Sequence, residues 1–289
     1  MKTIGTSQPI TLEVITPLHI GSGRPELRAD LDYVRADQIY MIDQERMLNT
    51  LSSERLRLAE AAAPLSRLLN ADDYAQFARY TLNNPAGAAR VPAIREQVKD
   101  AWGHPYLPGS SLKGAIRTAL AWAMLQAGVA RMAPDELGRS PRFADDPLEA
   151  HLFAPRSRRA RVDPNRDLLR AMQITDSQPA AANNSLELVQ VTRYSLSGKP
   201  GHLRSKGSEW SFFVESLAPG TRLQTSLRLD DYLLQPEIAR RVGLAERRHW
   251  VRGWLRHCHA LSLAVITHER DFYRTYGLPQ VEAFYTRLL

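Results

Sequence analysis

The chain has 289 residues, of which 44% are hydrophobic and 24% charged, and a net charge of +7 at pH 7. That length allows one large domain or two ordinary ones, and the composition is typical of a globular protein. No apolar run approaches the roughly 18 residues needed to span a bilayer, so we expect no membrane association. The N-terminus lacks a signal-peptide pattern and the single cysteine, Cys258, excludes an intrachain disulfide; both indicate a cytoplasmic protein.

Positive charge is concentrated in two segments. Residues 156–170 carry six arginines against two aspartates, and residues 237–257 carry six arginines against two glutamates, so each segment has a net charge of +4. The remainder of the chain sums to −1. Clustered positive charge predicts a polyanionic partner, and an arginine-rich solvated surface is the alternative.

The first third of the chain is predicted to open with a β-branched strand over 9–20, which stops at a Gly-Ser-Gly turn. Two short strands are predicted within 31–43, around a turn at Ala36–Asp37. Helical periodicity then predicts three stretches. They cover residues 44–53, 54–70 with a break at Pro64, and 72–82, and a turn-rich linker follows over 83–92.

Beyond a predicted helix that starts near Gly109, residues 129–165 read as irregular apart from 145–153. Strands are predicted within 169–177 and 185–196. The alternating segments 208–217 and 221–232 flank Pro219–Gly220 and predict a β-hairpin. From Gln235 onward the pattern is helical. Because strands and helices do not alternate strictly, the fold class predicted is α+β.

The stretch YLPGSSLKGAIRTAL, residues 106–120, carries the strongest motif. Its apolar residues follow helical spacing, and Ser110 or Ser111 is expected to cap the helix start. Gly109 and Gly114 would allow another backbone to approach closely. A P-loop is excluded, because Ala115–Ile116 stand where Lys and Ser/Thr are required.

Lys113 and Arg117 lie four residues apart on one flank of this helix, beside the apolar stripe. Bare backbone amides, the positive end of the helix dipole and two cations together predict an anion site. Since both cations lie off the stripe, we expect them to be replaceable with little loss of stability.

A second glycine cluster, HIGSGRPE, occupies residues 19–26. Glu26 stands where a dinucleotide fingerprint needs its third glycine, and no helix follows promptly, so that fingerprint is not met. Alone, the cluster is typical of a turn that ends a strand. Together with the helix start at Gly109, it suggests two glycine loops along one phosphate track.

The order of these motifs, from TPLHIGSG, LDYV and IYMID through YLPGSSLKGAIRTAL and ITDS to EWSFFVESLAPGTRLQTSLRLD, resembles the RAMP superfamily of CRISPR-associated proteins. Within it, the chain is most similar to the Csm-type subunit that caps the 3′ end of the guide RNA in type III-A effector complexes. Members usually continue beyond a segment like AFYTRLL into a C-terminal glycine-rich strand and loop. This sequence departs from that pattern at Leu289, either as a short variant or because a C-terminal part is left out.

The resemblance implies a modified ferredoxin-like fold, related to the RNA-recognition fold, with helical insertions and a helical C-terminal part. It implies residues 1–128 as a ferredoxin-like core with a helical insertion, 129–234 as a basic insertion plus a β-hairpin half, and 235–289 as a helical segment. The implied partners are crRNA with its paired target RNA, other Csm-type subunits and host trimming nucleases, with no cofactor. The residues implied to bind RNA are Gly21, Ser22, Gly23, Arg24, Gly109, Ser110, Ser111, Lys113, Gly114 and Arg117.

Basic residues outside the two glycine motifs extend this predicted RNA surface. Lys199, Arg204 and Lys206 lie in a glycine-punctuated loop that could reach RNA or simply be solvated. Arg158 and Arg159, in the first basic segment, are further candidates for phosphate contact or for a contact with a neighbouring subunit.

Catalytic alternatives remain open at this stage. An endoribonuclease would need a general acid–base, for which His19 and His202 are candidates, and a target-cutting RAMP nuclease would need an aspartate, for which Asp30 and Asp32 are candidates. The histidines and cysteine between residues 249 and 268 lack the spacing of zinc ligands on a helix, so no metal site is expected.

Overall fold

The structure is a computed structural model, and it describes residues 5, 7–84, 91–131, 140, 144–154, 164–192, 194–196, 203–205 and 211–289. The strands are β1 Ser7–Glu13, β2 Leu27–Arg28, β3 Tyr33–Arg35, β4 Gln38–Ile42, β5 Ala78–Asn83, β6 Ala93–Arg95, β7 Met172–Ile174, β8 Leu186–Thr192, β9 Tyr194–Leu196, β10 Leu203–Ser205, β11 Ser211–Leu217 and β12 Arg222–Leu229. The helices are α1 Gln44–Thr50, α2 Ser53–Glu60, α3 Leu65–Leu68, α4 Ala71–Phe77, α5 Gly109–Gln126, α6 Asp146–Phe153, α7 Ala182–Ser185, α8 Pro236–Val242, α9 Arg248–Arg252, α10 Trp254–Thr275 and α11 Pro279–Leu288, and a 3-10 turn covers Leu168–Ala171.

One antiparallel sheet has the strand order β1-β12-β7, and α5 and α10 pack against it. Ile10 and Leu227 from the strands share a core with Ile116 of α5 and Trp254 of α10. Along the chain these elements run β-α-β-β-α, which is the order in which a ferredoxin-like unit begins. The α+β fold class predicted from the sequence is confirmed.

A second sheet has the order β2-β6-β11-β8, in which β11 runs antiparallel to β8 and parallel to β6. The predicted hairpin of β11 with β12 is therefore wrong, because the two strands belong to different sheets. The turn does form, with Gly220 at φ +86° and the Thr221 N–H donating to the Ala218 carbonyl. Each strand instead lies in the interior of its sheet and hydrogen-bonds along both edges to strands distant in sequence.

The segment between β2 and β6 forms a third sheet, β3-β4-β5, together with α1–α4. This insertion has its own core, to which Val34, Met47 and Phe77 contribute. The helix predicted over 72–82 ends at Phe77. Residues 78–83 form β5 instead, since Tyr80 and Leu82 alternate toward the core while the side chains between them are more exposed.

From Gln235 the described chain is helical, as predicted, and α10 packs on both α5 and α11. The three predicted units stay a prediction, and their boundaries cross shared elements: β1 of the first unit pairs with β12 of the second. Among the described residues, no helix is long and apolar enough to cross a membrane.

Candidate nucleic-acid interface

The first glycine loop is tied to the chain just after β6. Gly21 bridges to Gln97, the Ser22 N–H donates to the Glu96 carbonyl at 3.0 Å, and the Arg24 N–H donates to Ser22 Oγ at 3.2 Å. Gly23 has φ +76°, and a Cβ there would meet no atom within 4 Å. The loop therefore has fixed ends and an open tip that carries the exposed Arg24.

A buried ionic network around Glu215 of β11 supports the chain segment to which this loop is bonded. Glu215 of β11 is 0% exposed, and its carboxylate accepts hydrogen bonds from Lys99 Nζ at 2.5 Å, from the Tyr80 hydroxyl at 2.5 Å and from the Gln97 N–H at 3.0 Å. Burial, and then the charge and hydrogen bond of Glu215, hold the pKa of Tyr80 well above its usual value. Because the Gln97 segment also pairs with Gly21, Glu215 fixes the support of the glycine loop.

An open cleft of about 490 Å³ lies beside the first glycine loop. Ser22 and Arg24 line it from the loop, Arg79 from β5, and Asp100 and Gly103 from the turn after β6. Its walls are mixed in charge. None of the residues 109–117, all of which the structure describes, lines this cleft, so the two glycine motifs have different immediate surroundings.

The start of α5 is capped differently from the prediction. The helix begins at Gly109 with Pro108 as its N-cap, and neither Ser110 nor Ser111 makes a side-chain cap bond. Instead, Asp176 Oδ1, from the segment after β7, accepts the Gly109 N–H at 2.8 Å. A carboxylate at this position satisfies a free amide and meets the positive end of the helix dipole.

Gly109 is required by the packing of the chain itself. A Cβ at this position would lie 2.4 Å from the Ile174 carbonyl oxygen and 2.8 Å from Thr175 backbone atoms. The close backbone approach expected at Gly109 is therefore real, and the backbone that approaches is the end of β7. By contrast, Gly114 is exposed, and a Cβ there would meet nothing within 4 Å.

Lys113 and Arg117 are engaged within the protein, which argues against the expectation that both can be replaced with little loss of stability. Lys113 Nζ donates to the Met172 carbonyl at 2.9 Å, and burial lowers the pKa of its amine. Arg117 pairs with Glu149 and Asp167, each at 2.8 Å, and its guanidinium carbon lies 3.9 Å from the centre of the Phe153 ring. The two side chains join α5 to β7, α6 and the 3-10 turn. Their predicted contact with RNA stays a prediction.

The remaining predicted RNA contacts are distributed as follows. Ser110 is exposed, and Ser111 is half-buried with its N–H bonded to the Pro108 carbonyl. Arg158, Arg159, Lys199, Lys206 and His202 lie outside the described residues, and Arg204 is on β10 with its side chain outside them.

The second basic segment, 237–257, is used partly by the fold. Arg247 is 9% exposed and donates to the carbonyls of His151 and Leu152, which anchors it to the end of α6. Arg248 donates to the Leu234 carbonyl at 3.4 Å. These side chains contribute less to an external positive surface than their number in the sequence suggests.

His19, Asp30 and Asp32, the candidates for catalysis that the structure describes, have partners in the chain. His19 Nδ1 lies 2.6 Å from the Glu215 carbonyl oxygen. Asp32 accepts the Arg28 N–H at 2.7 Å, while Asp30, at φ +61°, lies 3.6 Å from Arg35. Among the described residues, no group of three or more His, Cys, Asp or Glu side chains could hold a metal ion.

Comparison with known proteins decides the family. The sequence profile of the RAMP superfamily matches residues 11–245. The chain belongs to the RAMP superfamily. It is 27% identical over 245 residues to the CRISPR system Cms protein Csm5 of Streptococcus thermophilus, a match that covers 78% of this chain and 64% of the relative.

Two solved structures are similar over 96% of the chain. Csm5 of T. onnurineus has a TM-score of 0.68 at 26% identity, with 86% of that chain covered. A chain from a Csm–crRNA–target RNA ternary complex of a type III-A CRISPR-Cas system has a TM-score of 0.66 at 25% identity, with 80% covered. The modified ferredoxin-like fold implied by the family resemblance is confirmed. The chain spans about two thirds (64%) of the length of the first curated relative.

Sequence reasoning missed three residues that shape this region. Asp176 lies in the ITDS segment, 67 residues from the amide it caps, so no local signal pointed to that role. Glu215 interrupts the apolar run SFFVESL, and a carboxylate in such a run usually has a buried partner. Trp102 lies in a D-x-W-G turn, and no pattern in the sequence distinguishes it from an ordinary surface residue.

Proposed function

We propose that this RAMP protein is a non-catalytic, crRNA-binding subunit of a type III-A CRISPR effector complex, which grips and caps the 3′ part of the guide RNA. The observation that carries the proposal is the similarity along 96% of the chain both to a Csm5 structure and to a chain of a Csm–crRNA–target RNA complex. The partners proposed are crRNA, its paired target RNA, other Csm-type subunits and host trimming nucleases, in the cytoplasm.

The first glycine loop supports RNA binding by its geometry. Gly23 leaves its tip open, and the Arg24 side chain is exposed and forms no ion pair among the described residues. An exposed guanidinium beside a loop without bulky side chains can contact phosphate oxygens and 2′-hydroxyls in any base sequence. The same loop is anchored through Gly21 and Ser22, so little order has to be gained on binding.

The experiment is a salt series with the purified protein and two labelled, unstructured RNAs of equal length and different base sequence. We expect affinity to fall steeply between about 50 and 200 mM salt, because phosphate neutralisation releases counterions, and to differ little between the RNAs. Arg24→Ala should weaken binding and flatten the salt slope. Arg222→Ala, which removes an exposed arginine paired with Glu13 on the edge of the other sheet, is the matched control.

A flat salt profile, or strong preference for one base sequence, would contradict this proposal. Discrete cleavage of precursor RNA without metal that is abolished by His19→Ala would contradict the non-catalytic part of it.

A further inference from the structure

The turn after β6 carries the most exposed large apolar side chain of the described chain. Trp102 is 76% exposed. A single exposed apolar residue is ordinary on a protein surface, so its surroundings must decide whether it has a role.

Residues 99–105 form a rigid hairpin with Trp102 near its tip. Lys99 bridges to Pro105, and Asp100 Oδ1 accepts the N–H groups of both Trp102, at 2.9 Å, and His104, at 2.8 Å. Although burial alone would raise the pKa of Asp100, the hydrogen bonds from His104 and Trp102 lower it, so the carboxylate stays ionised and holds the turn. Gly103, at φ +84°, completes the reversal of the chain.

The same hairpin is continuous with the first glycine loop. The chain leading into it bridges Gln97 to Gly21 and donates the Val98 N–H to the Ile20 carbonyl at 2.8 Å. Lys99, at the base of the hairpin, is 6% exposed and bound to the fully buried Glu215. The hairpin and the glycine loop are therefore joined by main-chain hydrogen bonds.

Two cavities flank the hairpin. The 490 Å³ cleft runs from Arg24 to Gly103, and a smaller cavity of about 140 Å³ has Trp102 and His104 in its wall. Arg79 lines both. The mixed charge of the larger cleft suits the donors and acceptors of a ribose and a base edge better than it suits a phosphate alone.

We propose that Trp102 is a stacking platform for one unpaired RNA base, and that the adjoining cleft holds the nucleotide whose backbone the first glycine loop contacts. This inference rests on the proposed RNA binding and deepens it. An exposed indole on a preorganised turn stacks on a base with little loss of conformational freedom, and any base can supply the partner face. A protein partner would also use an exposed tryptophan, but the direct connection of the hairpin to the glycine loop favours RNA.

The test compares full-length wild type with Trp102→Ala, Trp102→Phe and Tyr232→Ala, using fluorescence anisotropy of a labelled single-stranded oligoadenylate. Tyr232 is 48% exposed in the turn after β12, which makes it a matched control. We expect Trp102→Ala to weaken binding by roughly 5- to 100-fold, while Trp102→Phe retains most of the affinity and Tyr232→Ala retains all of it. Quenching of intrinsic tryptophan fluorescence by unlabelled RNA should be smaller in Trp102→Phe than in wild type.

Thermal unfolding of each variant checks that the exposed substitution leaves the fold intact. If wild type binds RNA and Trp102→Ala binds it equally well, the stacking role is refuted and the proposed function stands. Loss of assembly with the other subunits at unchanged RNA affinity would likewise refute it, since Trp102 would then contact protein. If wild type binds no RNA, the proposed function itself has failed.

Discussion

Replacing Arg117 by alanine should destabilise the fold before it affects any ligand. The Arg117 side chain is 21% exposed, pairs with Glu149 and Asp167 at 2.8 Å each, and stacks on Phe153. Removing one partner of a fully buried ion pair costs roughly 3–5 kcal/mol, exposed pairs contribute about 0–1 kcal/mol, and a cation–π contact contributes about 1 kcal/mol. For this partly buried group we expect a loss of about 2–3 kcal/mol in the free energy of unfolding.

The measurement is thermal unfolding followed by circular dichroism. A loss of that size should lower Tm by about 3–5 °C in a chain of this length. Arg117→Lys should fall between wild type and alanine, because an ammonium keeps the charge but cannot form two parallel hydrogen bonds or stack as well. Arg222→Ala, which breaks an exposed pair with Glu13, should lower Tm by no more than about 2 °C.

RNA binding by the same variants separates the two roles of Arg117. If its role is structural, the folded fraction of Arg117→Ala binds RNA with nearly the wild-type affinity. An unchanged Tm together with weakened RNA binding would refute this reasoning, because it would mean that the guanidinium leaves its internal partners to reach phosphate.

Three further predictions concern the helix start and one buried histidine. Gly109→Ala should lower Tm strongly, since its Cβ would meet the β7 backbone at 2.4 Å. Gly114→Ala should instead raise the free energy of unfolding by about 0.5–1 kcal/mol, because its Cβ meets nothing and alanine favours the helix. Equal effects of the two substitutions would contradict the packing described. Burial, and then the charges of its neighbours, lower the pKa of His257 in the folded protein, so the unfolded chain binds a proton there more readily. The free energy of unfolding should therefore fall as the pH drops from 7 toward 5, and His257→Phe should reduce that slope. An unchanged slope in denaturant titrations of the variant would contradict this prediction. Asp176→Asn keeps a capping side chain but removes a negative charge, so it should leave Tm nearly unchanged and strengthen RNA binding roughly 2- to 5-fold; unchanged affinity would mean that RNA passes away from this helix start.

Periodicity predicted most elements of this chain but not the strand partners. The two strands around Ala36–Asp37 and the long helix from Gly109 appear as expected, because local spacing of apolar residues determines which face is buried. The turn at Pro219–Gly220 also forms, yet β11 and β12 separate into two sheets. A turn and two alternating segments are compatible with either outcome, and the choice depends on strands distant in sequence.

One segment predicted as a helix is partly a strand, because its spacing of apolar residues is compatible with both. The helix through DDYAQFARYTL ends at Phe77, because the residues after it bury Tyr80 and Leu82 alternately, and β5 pairs with β4. Polar residues act at longer range still. The cap on α5 comes from Asp176, 67 residues from the amide it satisfies, so no local rule could assign it in place of Ser110.

The two glycine motifs look alike in sequence but differ in what their side chains are free to do. At the start of α5, Gly109 accommodates the end of β7, Asp176 already meets the helix dipole, and Lys113 and Arg117 hold neighbouring elements. A phosphate approaching there would find its amide donor occupied and a carboxylate beside it. At the first loop, Ser22 and the exposed Arg24 line an open cleft next to the hydrogen-bonded hairpin. We therefore expect the side-chain contacts to RNA to come mainly from the first loop and its hairpin. The α5 motif is expected to form part of the surface along which the RNA lies.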